Sequence, residues 1–203
     1  MVGTLCLAAG SAHAATFEQL VFEASQRAFV LTQRTRHAVD ASSSRLQVAT
    51  LDAPIAWQKV AGFEGTFTAE MPGVPVYVVV PKASSGGIPY KRHDYSVYVG
   101  QNAFFIQSTV YPSQWNTSNQ RRFIQQGLDN QATKMDSGQW ISVTWGQHQG
   151  LTSVEAVSLQ KGQDLRMVFV LRGQQLFILT YIGAPGSARS DEVNRFFSSL
   201  NIR

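Results

Sequence analysis

Two runs near the carboxyl end constrain the fold more than any other feature: residues 165–171 and 176–182, separated by a turn at Arg172/Gly173. In the second run apolar side chains occupy both alternating sets, Leu176, Ile178 and Ile182 on one and Phe177, Leu179 and Tyr181 on the other. Successive side chains of a strand point to opposite faces, so this strand needs cover on both sides. Val193, Phe196, Phe197 and Leu200 then recur at i, i+3, i+4 and i+7, the stripe of a helix that lies on a sheet. Ser190 ahead of Asp191 and Glu192 supplies a hydroxyl acceptor and two charges suited to the start of that helix.

Working back from this frame, residues 140–145 and 153–159 read as further strands, joined by glycine-bearing turns at Gly146/Gly150 and Lys161/Gly162. Short turns make such strands antiparallel neighbours. Before them, Phe123, Ile124, Leu128, Ala132 and Met135 form one apolar stripe, and Thr117 or Ser118 is placed to accept amides at the start of a helix that Asp136, Ser137 and Gly138 end. Residues 95–99 and 103–110 flank Gly100, Gln101 and Asn102, a hairpin signal. Residues 76–80 read as a strand, 82–89 as a flexible connection, and Pro72, Gly73 and Pro75 as a rigid turn. Phe17, Leu20, Val21, Ala24, Ala28 and Leu31 fit one helical face, and residues 45–51 alternate briefly before Pro54. The expected class is α+β, an antiparallel β-sheet flanked by helices.

Residues 1–14 carry no Asp, Glu, Lys or Arg and end in Ala12, His13, Ala14, a small-x-small pattern that fits signal peptidase. Export to the periplasm or outside the cell is therefore expected. The basic front of a complete leader is missing, which points to an upstream start or a trimmed one. The one cysteine, Cys6, falls inside this leader, so the mature chain is expected to hold no thiol, disulfide or thiolate metal site. No later stretch approaches the roughly 20 apolar residues of a membrane-spanning helix. The net charge is +4, but basic doublets occur only at Lys91/Arg92 and Arg121/Arg122, short of the dense stripe that nucleic-acid backbones call for. No nucleic-acid partner is expected.

Several segments together resemble small exported bacterial domains of the Mog1/PsbP-like fold: Phe67 to Glu70 followed by Met71, Pro72, Gly73 and Pro75; Phe105 to Val110 closing with Tyr111 and Pro112; Arg166 to Leu171; Gln175 to Ile182; and Arg195 to Leu200. The resemblance covers about residues 57–203 and implies an antiparallel sheet between helices, used elsewhere for binding a small GTPase or assisting a photosynthetic complex. It carries over no partner surface. Domain organisation follows: a leader over 1–14, a partly helical extension over 15–56, and an α+β domain over 57–203.

Catalytic constellations are thin. There is no GxSxG pentapeptide, no Walker loop and no GxGxxG fingerprint, and the histidines show no HxH or HxxxH spacing. His93 and Asp94 are adjacent in sequence, so on a strand they point to opposite faces and cannot form a relay with each other. Glu64 and Glu70 read as rim charges. No catalytic residue, metal or cofactor is expected. The expected function is a non-catalytic binding or accessory module of the cell envelope, contacting a protein or envelope component through residues 82–94 and 111–117, with Tyr90, Lys91, Arg92, Tyr111 and Trp115 as contact residues. The alternative is a periplasmic hydrolase assembled around His93 or His148.

Overall fold

The computed structural model describes residues 56–84, 86–135 and 138–203. The expected leader, the helix at 17–37 and the short strand at 45–51 lie outside them. The described residues fall in one compact unit, Asp52–Arg203.

Seven antiparallel strands form the main sheet: β3 (Val76–Ala83), β4 (Pro89–Val99), β5 (Asn102–Val110), β6 (Ser142–His148), β7 (Leu151–Gln160), β8 (Gln163–Arg172) and β9 (Gln175–Gly183), in spatial order β3-β4-β5-β9-β8-β7-β6. A smaller sheet, β1 (Gln58–Ala61), β2 (Phe67–Met71) and β10 (Asn201–Ile202), pairs antiparallel in the order β1-β2-β10. Two helices complete the described unit, α1 (Gln120–Ala132) and α2 (Asp191–Ser198). The α+β architecture is thus the one expected from the sequence.

The sheet carries a core on each face, and β9 serves both. Phe177, Leu179 and Tyr181 pack with Phe67 and Met71 of the small sheet and with Val193, Phe196 and Phe197 of α2. Leu176 and Ile178 turn the other way, joining Val154, Ala156, Met167, Phe169 and Leu171 under Ile124 and Leu128 of α1. Ser190 caps α2 by accepting from the Val193 amide.

Arg166 stitches these layers together. It is buried on β8, donates to Glu155 Oε2 of β7 at 2.6 Å, and reaches the Ala188 carbonyl and Asn194 Oδ1 at the start of α2 at 3.0 and 2.7 Å. Its guanidinium also lies 4.4 Å from the centre of the Phe197 ring. Five guanidinium donors in a planar fork make arginine suited to such a junction.

Four boundaries differ from the sequence expectation. Strand β4 starts at Pro89, so most of 82–94 is the paired hairpin β3–β4 and only the short link around Gly86 and Gly87 is loop. Proline is tolerated at the first residue of a strand, and Arg92 and Asp94, two apart on one face, pair through Arg92 Nε and Nη2, which both donate to Asp94 Oδ2. Helix α1 is capped by Asn119, whose side chain accepts from the Arg122 amide, because Ser118 is engaged with Asn116 Oδ1 instead. The helix ends at Ala132, short of Met135. Gly146 sits inside β6, and the turn falls at Gln149–Gly150.

Candidate functional site

A cleft of about 390 Å³ opens where the end of the main sheet meets the turn between β1 and β2. Its lining comes from four places in the chain: Phe63, Glu64 and Thr66 in that turn, Pro89, Tyr90, Lys91 and His93 on β4, Ser108, Val110, Tyr111 and Pro112 at the end of β5, and Gln175 at the start of β9. Strand registry explains the meeting. His93 faces Ser108 across β4–β5, and Val110 faces Gln175 across β5–β9, so four side chains of one sheet face converge.

The turn is held over this face by unusual backbone. Glu64 and Gly65 both adopt the left-handed region, with φ of 54° and 69°. For glutamate that conformation costs roughly 1–2 kcal/mol. It is stabilised from the sheet: the Phe63 amide donates to the Tyr95 hydroxyl at 2.7 Å, and the Phe63 ring stacks on His93 with centroids 4.4 Å apart.

His93 is buried between partners. Its Nδ1 lies 2.7 Å from the Tyr77 hydroxyl, and the Tyr77 ring is parallel to the imidazole with centroids 6.0 Å apart. Burial first, then the Lys91 ammonium, hold the imidazole below its ordinary pKa, against opposing pulls from Asp94 and Glu64. The ring is therefore neutral at pH 7. Beside it, Ser108 Oγ accepts from Gln175 Nε2 at 2.9 Å, and Gln175 Oε1 accepts from Arg172 at 3.0 Å. Both Ser108 and Gln175 are buried.

The five sequence-derived contact residues do not share one environment. Tyr90, Tyr111 and Trp115 come together as an aromatic cluster, with Tyr111 stacked on Trp115 at 4.7 Å and Tyr90 within 5.6 and 5.9 Å of the two rings. Phe123 of α1 backs the cluster. Tyr90 and Tyr111 also line the cleft, where exposed Lys91 forms part of the rim. Arg92 is different: it is buried and paired with Asp94, its Nε 2.9 Å from Oδ1. Burial pushes the Asp94 carboxyl up despite that partner.

His148 is remote from this cluster in its bonding, its Nε2 lying 2.8 Å from the Leu200 carbonyl. Glu70, expected at a rim, is half-exposed and pairs with Arg195 at 2.7 Å, and this hydrogen bond draws its carboxyl below the usual range. Trp57 lies against Phe104 and Arg195, and Trp140 and Trp145 pack near α1, so none of the three joins the aromatic cluster. Among the described residues, no three His, Cys, Asp or Glu side chains come together as a metal site, and no helix is long and apolar enough to cross a membrane.

Phe63, Thr66, Ser108, Val110 and Gln175 are cleft residues that sequence reasoning missed, since they lie outside the expected contact segments. Ser108 and Gln175 sit 67 positions apart and carry no local motif. The one available signal was the pairing order of the strands.

No family model and no curated protein matches this chain. Among solved structures, it is similar to the solution structure of cyanobacterial PsbP (CyanoP) from Synechocystis sp. PCC 6803, with a TM-score of 0.46, 12% identity, and coverage of 78% of this chain and 99% of that one. It is also similar to the crystal structure of the protein of unknown function PA94 from Pseudomonas aeruginosa, with a TM-score of 0.35, 17% identity, and coverage of 72% and 97%.

Proposed function

We propose that this protein is a non-catalytic binding module exported to the bacterial envelope, which holds a protein partner at the cleft and at the aromatic cluster beside it. The observation that carries the reading is the composition of the cleft, in which apolar walls surround a few convergent polar groups, the usual make-up of a recognition site. The bonding of the histidines supports binding over bond making. His93 Nδ1 is engaged by a phenol and His148 by a backbone carbonyl, whereas a hydrolytic base needs its second nitrogen oriented by an acid and its first against a nucleophile. Export rests on the uncharged, small-residue character of residues 1–14.

Tyr90, Lys91, Tyr111 and Trp115 belong to this surface, and Arg92 supports it from beneath. Replacing Tyr90 and Trp115 with alanine and Lys91 with glutamate in one chain is expected to remove the main partner from a crosslinked envelope pull-down, while circular dichroism shows the sheet intact. An unchanged set of partners from a folded variant would remove the surface assignment.

A further inference from the structure

We infer that the cleft is built for an apolar group that ends in a carboxylate. This rests on the binding reading above and names the ligand chemistry of that same cleft.

The argument is an inventory of hydrogen-bond capacity. A phenol is a stronger acid than a neutral imidazole, so the Tyr77 hydroxyl donates to His93 Nδ1 at 2.7 Å, and the neutral ring carries its proton on Nε2. Ser108 Oγ already accepts from Gln175 Nε2 and still has a proton to give. Gln175 turns its carbonyl to Arg172, and its amide still offers a second N–H. Lys91 adds an ammonium at the rim. Thus the polar side of the cleft offers donors from Ser108, Gln175, His93 and Lys91, while His93 Nδ1 is taken by Tyr77 and one lone pair each of Gln175 Oε1 and Ser108 Oγ is in use, so donors and the Lys91 charge outweigh the acceptor capacity that is left.

A group that accepts without donating matches this set. A carboxylate does so with two oxygens and gains from charge-assisted bonds, whereas an amide or hydroxyl would present a single acceptor oxygen and no charge to Lys91. The remaining walls, Phe63, Pro89, Val110 and Pro112 with the rings of Tyr90 and Tyr111, suit an apolar body. The volume of about 390 Å³ lies at the lower end of small-ligand sites, which run from roughly 300 to 1,000 Å³. Glu64 is the one acidic side chain in the lining and opposes such a ligand from the turn.

The same chemistry is offered by a free aryl or alkyl acid and by the carboxyl terminus of a protein chain ending in an apolar residue. Amide chemical shifts of the full chain would be followed on adding 4-phenylbutyrate, its amide, acetyl-Ala-Phe and its carboxamide. Both acids are expected to shift Lys91, His93, Ser108 and Gln175, and each to bind at least about ten-fold more tightly than its amide, as loss of a charge-assisted bond implies. The tighter acid identifies the source. Ser108→Ala and Lys91→Gln should each weaken acid binding several-fold, Lys91→Gln at unchanged thermal midpoint and Ser108→Ala with a lowered one because the Gln175 amide loses its buried acceptor, and Glu64→Gln should strengthen binding. Equal affinity for acid and amide, shifts confined to other residues, or no binding of either acid would overturn the inference. The pull-down separates the two claims: a partner lost on mutating Tyr90, Lys91 and Trp115 while the acids fail to bind leaves the binding module and removes the carboxylate.

Discussion

Phe196→Ala is expected to lower the unfolding free energy by about 3–5 kcal/mol, the range for deleting a buried aromatic side chain. Phe196 is fully buried on α2, edge-on to Phe104 of β5 with centroids 5.3 Å apart and against Phe197 at 5.1 Å. The cavity has little room to collapse. One wall is the centre of a seven-stranded sheet, and α2 is held at its start by the Ser190 cap and by Arg166 bonded to Asn194 and the Ala188 carbonyl. Domains of this kind are stable by roughly 5–15 kcal/mol, so the loss is a large fraction of the total. Urea unfolding monitored by tryptophan fluorescence would measure it. The control is Phe63→Ala, whose ring is 47% exposed and which should cost much less. Comparable losses at the two positions would contradict the placement of the core.

Gly183→Ala is expected to cost about 2–4 kcal/mol through a different mechanism, overpacking together with a disrupted buried hydrogen bond. Gly183 ends β9 with ordinary backbone, so conformational freedom is not the issue. A Cβ there would overlap the Tyr181 hydroxyl and the Asn102 side-chain oxygen. Tyr181 is buried and cannot retreat. Its hydroxyl donates to Asn102 Oδ1 at 2.8 Å and lies 2.7 Å from Ser187 Oγ, and burial pushes the phenol above its usual pKa. Removing the hydroxyl in the second variant, Tyr181→Phe, relieves the tightest of these overlaps and leaves those with the ring carbon and Asn102. The double variant should therefore be more stable than the sum of the single effects by at least about 0.5 kcal/mol. Strict additivity in denaturant melts would show that the overlap with the hydroxyl is not what makes the methyl group costly.

The parts of the fold legible in the sequence are those with a long, unbroken pattern. The two-sided hydrophobicity of β9 announced a covered strand, and the Ser190, Asp191, Glu192 start with the Val193, Phe196, Phe197 stripe announced α2. Strand β10 was not legible, since two residues, Asn201 and Ile202, carry no periodicity and pair with β2 only through tertiary contact. The start of β4 was hidden by its charges. Lys91, Arg92, His93 and Asp94 look like a solvated connection until their faces are separated, with Arg92 and Asp94 paired on one and His93 engaged by Tyr77 on the other. The same separation moved Arg92 from the expected contact surface into the interior.

Half of the site was visible for a related reason. Tyr90, Tyr111 and Trp115 stood out as aromatics in segments flanking strand ends, and they do meet. The polar side of the cleft was not, because Ser108 and Gln175 are unremarkable until β5 and β9 are paired. Phe63 carries no periodic signal of its own, and it sits at the head of a left-handed turn, stacked on His93.

The central claim is that recognition happens at this cleft. A photo-crosslinking amino acid placed at Val110, exposed on the cleft wall, would be compared in intact cells with one at Gln125, exposed on α1. The account predicts that a discrete envelope protein is captured from position 110 and not from position 125, and that acetyl-Ala-Phe reduces the capture. Capture from position 125 alone, or from both positions equally and without competition, would contradict it.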